Sequence, residues 1–349
     1  MFQTVWSIVV ALLILGVMVM VHELGHFLTA RKLGLKVREF GIGMGPKIRK
    51  WERNGVLYSL RILPVGGFVN FYGEDEDIDD PRAFNRQKPW KRLLTIFAGP
   101  AANIVFAFIV TIGLLVAVGE AVPQIATIVP GSSAEAAGLQ VGDRVVRVEG
   151  HHVNFATEAY LHITESIENG TVSLTVQRGN DLITYDNLEY KWDSEKKGKI
   201  VGVKFDPTPQ RFGFFEAIGL SFSWIVFVIR EMLAVIGGLF TGAQSTQALV
   251  GPVGTISLIG QSAQMGLYEL LQLTVLLSVN LGIVNLIPFP ALDGSRMVFT
   301  AVEKIRGKPI SPEKEGMVHF VGLILLLGLM LLFTYQDIAR IISGKGVGG

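Results

Sequence analysis

Four stretches of the chain approach the run of about twenty apolar residues that a helix needs to cross about 30 Å of hydrocarbon. They are Val5–Val21, Leu94–Val118, Leu270–Ile287 and Val318–Tyr335. A fifth apolar stretch, Phe214–Phe240, carries Arg230-Glu231 near its middle, where a charge costs a few kcal/mol at the bilayer centre. The first stretch begins Met1-Phe2-Gln3 with no basic residue, and no small-x-small cleavage site follows it. It is therefore expected to be a retained membrane helix and not a signal peptide.

Between the first two spans the period changes. Val37–Ile48 and Leu57–Tyr72 alternate apolar and polar residues in part, and Gly41, Gly43, Gly45-Pro46 and Gly66-Gly67 interrupt them. That pattern predicts short strands and hairpins. Glu74–Asp77 with Asp79-Asp80 reads as a solvated acidic loop, and Gly344–Gly349 as a flexible tail. Further on, strands are expected at Val122–Val129, Arg144–Val148, Val172–Arg178 and Ile183–Leu188, with a helix near Thr157–Glu168.

Charge adds orientation. Arg31, Lys32, Lys36 and Arg38 follow the first span, and Arg82, Arg86, Lys88, Lys91 and Arg92 precede the second. The loop they enclose is expected on the cytoplasmic side. The segment from Glu120 to Arg211 has more acids than bases and should lie outside, while Arg296, Lys304, Arg306, Lys308 and Lys314 mark a second cytoplasmic loop. Four crossings satisfy this order. Phe214–Phe240 is then expected to lie along the outer interface with Trp224 dipped in; the alternative is a fifth span with a compensating re-entrant segment. Across 349 residues the net charge is +1, which gives no basic excess for nucleic acid. The chain has no cysteine, so disulfides, thiolate metal sites and cysteine nucleophiles are excluded.

The candidate chemistry lies in His22-Glu23-Leu24-Gly25-His26. Histidines four apart project from one helix face, about 6 Å apart along the axis, and can bind one zinc. Glu23 is placed to take the proton of a zinc-activated water. Catalytic zinc usually has three protein ligands. Asp293 in Asn285-Leu286-Ile287-Pro288-Phe289-Pro290-Ala291-Leu292-Asp293-Gly294 is the candidate third. It ends the third span shortly before Arg296, as His26 lies shortly before Arg31, so the charge pattern puts all three in one leaflet. Asn280 and Asn285 are candidates to hold a loosened substrate backbone, and Gly66, Gly67 and Phe68 to offer it a strand edge. Interhelical hydrogen bonding is the competing role for the two asparagines. Gly99-Pro100-Ala101-Ala102-Asn103 reads as the first turn of the second span, structural except for Asn103. His151-His152, His162 and His319 lack metal spacing and read as ordinary.

The run Pro130-Gly131-Ser132-Ser133-Ala134-Glu135-Ala136-Ala137-Gly138-Leu139 leads into Gly142-Asp143-Arg144-Val145-Val146. It is similar to the PDZ domains of bacterial proteases over Pro123 to Asn187, which implies a groove where an extended peptide adds a strand. The His22–His26 and Asn285–Gly294 motifs resemble the two signatures of the site-2 protease family. The inserted domain and Leu249-Val250-Gly251-Pro252-Val253-Gly254 are similar to its bacterial regulator-of-sigma branch. Some members carry two tandem PDZ domains, and this chain has room for one.

This resemblance implies a polytopic α-helical membrane protein of four transmembrane helices with a membrane-associated β-hairpin and an inserted extracytoplasmic α+β PDZ domain. Its expected parts are 1–120 (N-terminal membrane core), 121–211 (PDZ), 212–265 (interfacial helix and linker), 266–343 (C-terminal membrane core) and 344–349 (tail). It implies Zn2+ on His22, His26 and Asp293 with Glu23 as base, in a bacterial inner membrane with the site toward the cytoplasmic leaflet. The expected function is zinc-dependent intramembrane proteolysis. The expected partners are single-pass membrane substrates such as anti-sigma factors or signal-peptide remnants, an upstream site-1-type protease and lipid. A membrane-anchored peptidase for soluble peptides and a non-catalytic PDZ adaptor with a structural metal are the competing classes.

Overall fold

The structure is a computed structural model and describes residues 2–74, 76, 78–193, 198–242, 249–308 and 310–343. The tail at 344–349 and the acidic-loop residues Asp75 and Asp77 lie outside the described residues. In chain order the elements are α1 (Phe2–Leu33), β1 (Val37–Arg53), β2 (Val56–Phe71), α2 (Pro89–Ala117), β3 (Glu120–Ala121) and β4 (Ile125–Ile128). Next come α3 (Ser133–Ala137), β5 (Arg144–Val148), β6 (His151–His152), α4 (Ala156–Glu165), β7 (Thr171–Arg178) and β8 (Asp181–Glu189). Short strands β9 (Lys191–Asp193), β10 (Gly198–Ile200), β11 (Val203–Phe205) and β12 (Pro209–Gln210) precede α5 (Phe214–Thr241). The chain ends in α6 (Pro252–Met265), α7 (Leu267–Leu286), α8 (Asp293–Arg306) and α9 (Pro312–Ile342).

Two units form. One comprises Met1–Thr111 and Val228–Gly349, the other Ile112–Phe227. Among the described residues five helices are long and apolar enough to cross a membrane: Trp6–Leu33, Pro89–Ala117, Phe214–Leu239, Leu267–Leu286 and Glu313–Ile342. The protein is a membrane protein with a mostly helical fold. By length and composition the Phe214–Leu239 stretch qualifies with the four expected spans.

In the first unit α1 runs on through Leu33, so the His22–His26 motif sits within a helix and not at its end, as the apolar run alone had suggested. The helix continues because Leu24, Leu28 and Ala30 are good helix formers with no proline to stop it. Pro100 is likewise interior: α2 begins at Pro89, and the expected first turn is its middle. Lys91 and Arg92 looked like loop residues ahead of a span. Inside the helix, the buried Arg92 guanidinium instead donates to Glu303 of α8 at 2.5 Å.

The hairpin is wider than two strands. Phe40, Gly41 and Ile42 face Val69, Phe68 and Gly67 on one side and Tyr58, Ser59 and Leu60 on the other. Lys50, Trp51 and Glu52 also face Ser59, Tyr58 and Leu57. Because β1 and β2 each bend, the sheet is four segments wide, with 67–71 at one edge and 47–53 at the other. Its inner face joins Phe27, Ala30 and Ile96 in a buried cluster with Val37, Phe40, Val56, Phe71 and Phe84. The Phe27 and Phe40 rings lie 4.9 Å apart, an aromatic contact worth about 1 kcal/mol beyond burial.

The second unit is α+β. Its four-stranded sheet runs β6-β5-β7-β8, and Val145, Val148, Val172, Leu174 and Val176 alternate inward onto Ala134, Leu139 and Ala159. Strand period and burial agree. A cavity of about 170 Å³ lies between α4, through Tyr160, Ile163 and Ile167, and the segment Ile200–Val203.

Asp143, fully buried, receives Arg178 through both oxygens at 2.7 Å and accepts from the Gln140 N–H at 2.9 Å. The Arg178 hydrogen bonds hold its carboxyl below the usual carboxylate range. A carboxylate pKa lowered by folding contributes stability above the unfolded value of about 4. That contribution is lost as pH falls through the lower folded value. Arg178→Met leaves the buried Asp143 carboxylate uncompensated and should destabilise the sheet, by less than the loss of a fully buried pair because the guanidinium is partly exposed. Hydrogen exchange of β5 and β7 in the full chain reads this as faster exchange at pH 7. Unchanged exchange would show that the pair contributes nothing.

Candidate metal centre

The site is built where α1 and α2 touch. Gly25 permits this crossing: a β-carbon there would collide with the Ala98 carbonyl and the Ala102 methyl. Gly99 does the same for His26, whose ring occupies the space of a missing side chain. On the other side of α2, Gly282 lets α7 approach Pro100 and Asn103, and Ser278 Oγ donates to the Asn103 carbonyl at 2.9 Å. Small residues at helix crossings are the usual means of close packing in membrane helices.

Both imidazoles are oriented from behind. His26 Nδ1 lies 2.8 Å from the Thr95 carbonyl oxygen, so Nδ1 carries the proton and Nε2 presents a lone pair. His22 Nδ1 lies 3.2 Å from Asn103 Nδ2, while Asn103 Oδ1 is buried without a partner. A half-turn of that amide, whose two ends are assigned from hydrogen bonding, puts Oδ1 on the His22 Nδ1–H. It satisfies both groups and leaves His22 Nε2 as a second lone pair.

These lone pairs converge with a carboxylate. His22 Nε2 lies 3.0 Å and His26 Nε2 3.3 Å from Asp293 Oδ2, and the two Nε2 atoms are 3.1 Å apart. The three ligand atoms lie within 4.8 Å of one another. Three acceptors brought this close repel unless a cation sits among them. Donors at zinc distances of about 2.1 Å in a tetrahedron stand about 3.4 Å apart, so the triangle fits that ion. Both histidines are buried at 7% exposure. Asp293 opens α8, yet its carboxylate makes no cap there: Leu292 is the N-cap. Its side chain is committed to the histidines.

Beside this triangle lies Glu23, in the same helical turn as His22 and His26. A β-carbon on Gly67 would sit 3.5 Å from Glu23 Cγ, and the Val69 main chain interacts with the carboxylate. The 67–71 edge of the sheet thus runs along the candidate base. Gly66 has a left-handed φ of +78°. Phe68 turns to the other face, filling the space above Gly41 and stacking under the Arg61 guanidinium at 4.5 Å.

Asn285 donates its amide to Leu281 of its own helix at 2.9 Å. Asn280 is half-buried on α7, and five residues of separation turn it about 140° from Asn285, so the two do not form a joint clamp. The sequence reading missed Thr95, Gly25, Gly99 and Ser278. Of these, Gly25, inside the His22–His26 motif, and Gly99, in the run Gly99–Asn103, lay in segments already singled out.

A family model described as Peptidase family M50 matches residues 10–329. A Clostridium perfringens relative is 35% identical over 332 residues, covering 95% of this chain and 98% of its own. The zinc metalloprotease RasP of Geobacillus kaustophilus is 31% identical over 422 residues, 97% of this chain and 99% of its own. The regulator of sigma-W protease RasP of Bacillus subtilis is 30% identical over 418 residues, with 96% and 99% covered.

Proposed function

The chain belongs to peptidase family M50 and is a zinc metalloprotease, and from that premise we propose that it cleaves the transmembrane segments of single-pass proteins within the bilayer. The observation that carries this reading is the convergence of His22 Nε2 and His26 Nε2, on a helix apolar enough to span, with Asp293 Oδ2, which opens α8 a few residues beyond a second such helix, α7. Ionisable groups at such depth mark a functional site by default.

In this reading His22, His26 and Asp293 hold the zinc. Zinc, when bound, supplies Lewis acidity toward water and the scissile carbonyl. Glu23 takes the proton from the attacking water and delivers it to the leaving amine. Thr95 and Asn103 keep both imidazoles in the tautomer that presents Nε2. A helical peptide bond is shielded by its own hydrogen bonds, so the substrate must unwind first. The edge at Gly67–Val69 takes up the extended strand by main-chain pairing, while Phe68 braces the sheet from its other face.

The substrates we infer resemble anti-sigma factors, supported by the name of the Bacillus subtilis relative, a regulator of sigma-W protease, or signal-peptide remnants. An upstream site-1-type protease would trim their ectodomains. Four helices cross the inner membrane and α5 lies in the outer interface, supported by Arg230-Glu231 within it and by exposed Phe214, Phe215 and Phe222. The site faces the cytoplasmic leaflet. The inserted unit is an extracytoplasmic PDZ domain, supported by its groove between α4 and Ile200–Val203.

The test is a trimmed single-pass substrate in zinc-containing liposomes, with the cut mapped by mass spectrometry. A cut inside the apolar segment is expected. Cuts confined to its soluble flanks, with equal turnover of an unanchored peptide, would overturn the reading in favour of an anchored peptidase for soluble chains.

A further inference from the structure

Asp293 reaches the site from a turn, Ile287–Leu292, that contains two prolines and a residue in an unusual conformation. Ala291 has φ of +75°, the left-handed region that non-glycine residues enter only when their surroundings over-determine it. What holds it there comes from α9, an element with no member in the metal triangle. His319 Nδ1 accepts the Ala291 N–H at 3.0 Å. One turn further along α9, Gly322 allows contact with Pro290: a β-carbon on Gly322 would collide with Pro290 Cβ and its carbonyl. The His319 ring also packs 5.8 Å from Phe299 of α8.

The far side of His319 is not committed to a strong partner. Its Nε2 is buried without a hydrogen bond, 3.6 Å from Glu315 Oε1, beyond hydrogen-bonding range. Glu315 in turn interacts with Arg296, whose guanidinium pairs with Glu74 below β2. The start of α8 is therefore gripped on two sides, by Arg296 toward the sheet and by His319 toward α9. Arg296 fixes the helix after Asp293, whereas His319 fixes the backbone two residues before it.

We propose that His319 is a positioning residue for the metal centre: its Nδ1 pins the left-handed Ala291, and through it sets where Asp293 Oδ2 meets the two imidazoles. This rests on Asp293 being a zinc ligand, as proposed above. A hydrogen bond that orients a ligand from outside the coordination sphere is worth about 10–100-fold in metal affinity. The effect should reach activity only through the zinc.

The experiment titrates full-length, detergent-solubilised protein with a competing chelator. It compares wild type, His319→Phe, His319→Asn and Asp293→Ala, and records the melting of each zinc-free protein. His319→Phe keeps the ring against Phe299 and removes the acceptor. About a tenfold or greater loss of zinc affinity is expected, with zinc-free melting unchanged. His319→Asn restores an acceptor near the place of Nδ1 and should recover affinity to within about threefold of wild type. Wild-type affinity in His319→Phe would overturn the proposal. If that variant fails to fold, a tenfold loss in His319→Asn, where the acceptor remains, would overturn it equally. Asp293→Ala separates the two readings. If it binds zinc as wild type does, the ligand assignment has failed; if it alone loses zinc, only the role of His319 has.

Discussion

Glu23→Gln should lower the cleavage rate of a transmembrane substrate by about 10²–10⁴-fold while zinc content and melting stay at wild-type values. The expectation follows from what Glu23 does and does not touch. It is not among the three atoms that converge at His22, His26 and Asp293, so an amide in its place leaves the metal set whole. It stands beside the Gly67–Val69 edge, where the unwound substrate would lie. An amide of the same shape keeps that packing but cannot accept a proton at neutral pH. The measurement is a single-turnover time course in liposomes, with zinc quantified on the same samples. Loss of rate with zinc retained identifies the proton acceptor. Loss of both would make Glu23 part of the metal set, and wild-type rates would remove it from the mechanism.

The metal triangle was legible in the sequence for a physical reason. Two histidines and a glutamate inside an apolar run violate its pattern, and the 3.6-residue period puts the histidines on one face. Charge order placed Asp293, the candidate from the Asn285–Gly294 motif, in the same leaflet, because both motifs stand just before basic loops. In the structure the three ligand atoms lie within 4.8 Å of one another. What orients them was not legible. Thr95 acts through its carbonyl, which carries no side-chain signal, and Asn103 is matched to His22 only by a crossing of α1 and α2.

Other readings failed because partners far apart in sequence decide them. Arg92 and Lys91 looked like the flank of a span, and so Pro100 looked like a first turn. The partner of Arg92, Glu303, lies 211 residues away. Alternation predicted strands around Val37–Ile48 and Leu57–Tyr72, and strands they are. Their bending into a sheet four segments wide depends on a register that glycines at 41, 43 and 66 permit but do not announce. His319 read as ordinary because its partner is a backbone N–H, created by the conformation of Ala291 and not by any residue type.

Gly99 gives the sharpest test of the crossing itself. Gly99→Ala adds one methyl group and would ordinarily stabilise a helix interior by about 1 kcal/mol. Here the β-carbon would fall on Nε2, Cε1 and Cδ2 of the His26 ring, the end of the ring that meets His22 and Asp293. The ring cannot retreat along its own plane, because Nδ1 is tied to the Thr95 carbonyl at 2.8 Å. It must tilt or the two helices must part, and either change moves Nε2 out of the triangle. A misplacement of about 1 Å is enough to cost about 100-fold in rate. We expect zinc affinity and activity to fall together by at least that factor, with helical circular dichroism preserved. Gly113→Ala on the same helix is the matched control, since a β-carbon there meets nothing within 4 Å; zinc and activity should be unchanged. If Gly99→Ala also behaves like wild type, α1 and α2 do not approach as closely as the His26–Thr95 contact requires. The tautomer argument for Nε2 would then lose its support, whatever the identity of the third ligand.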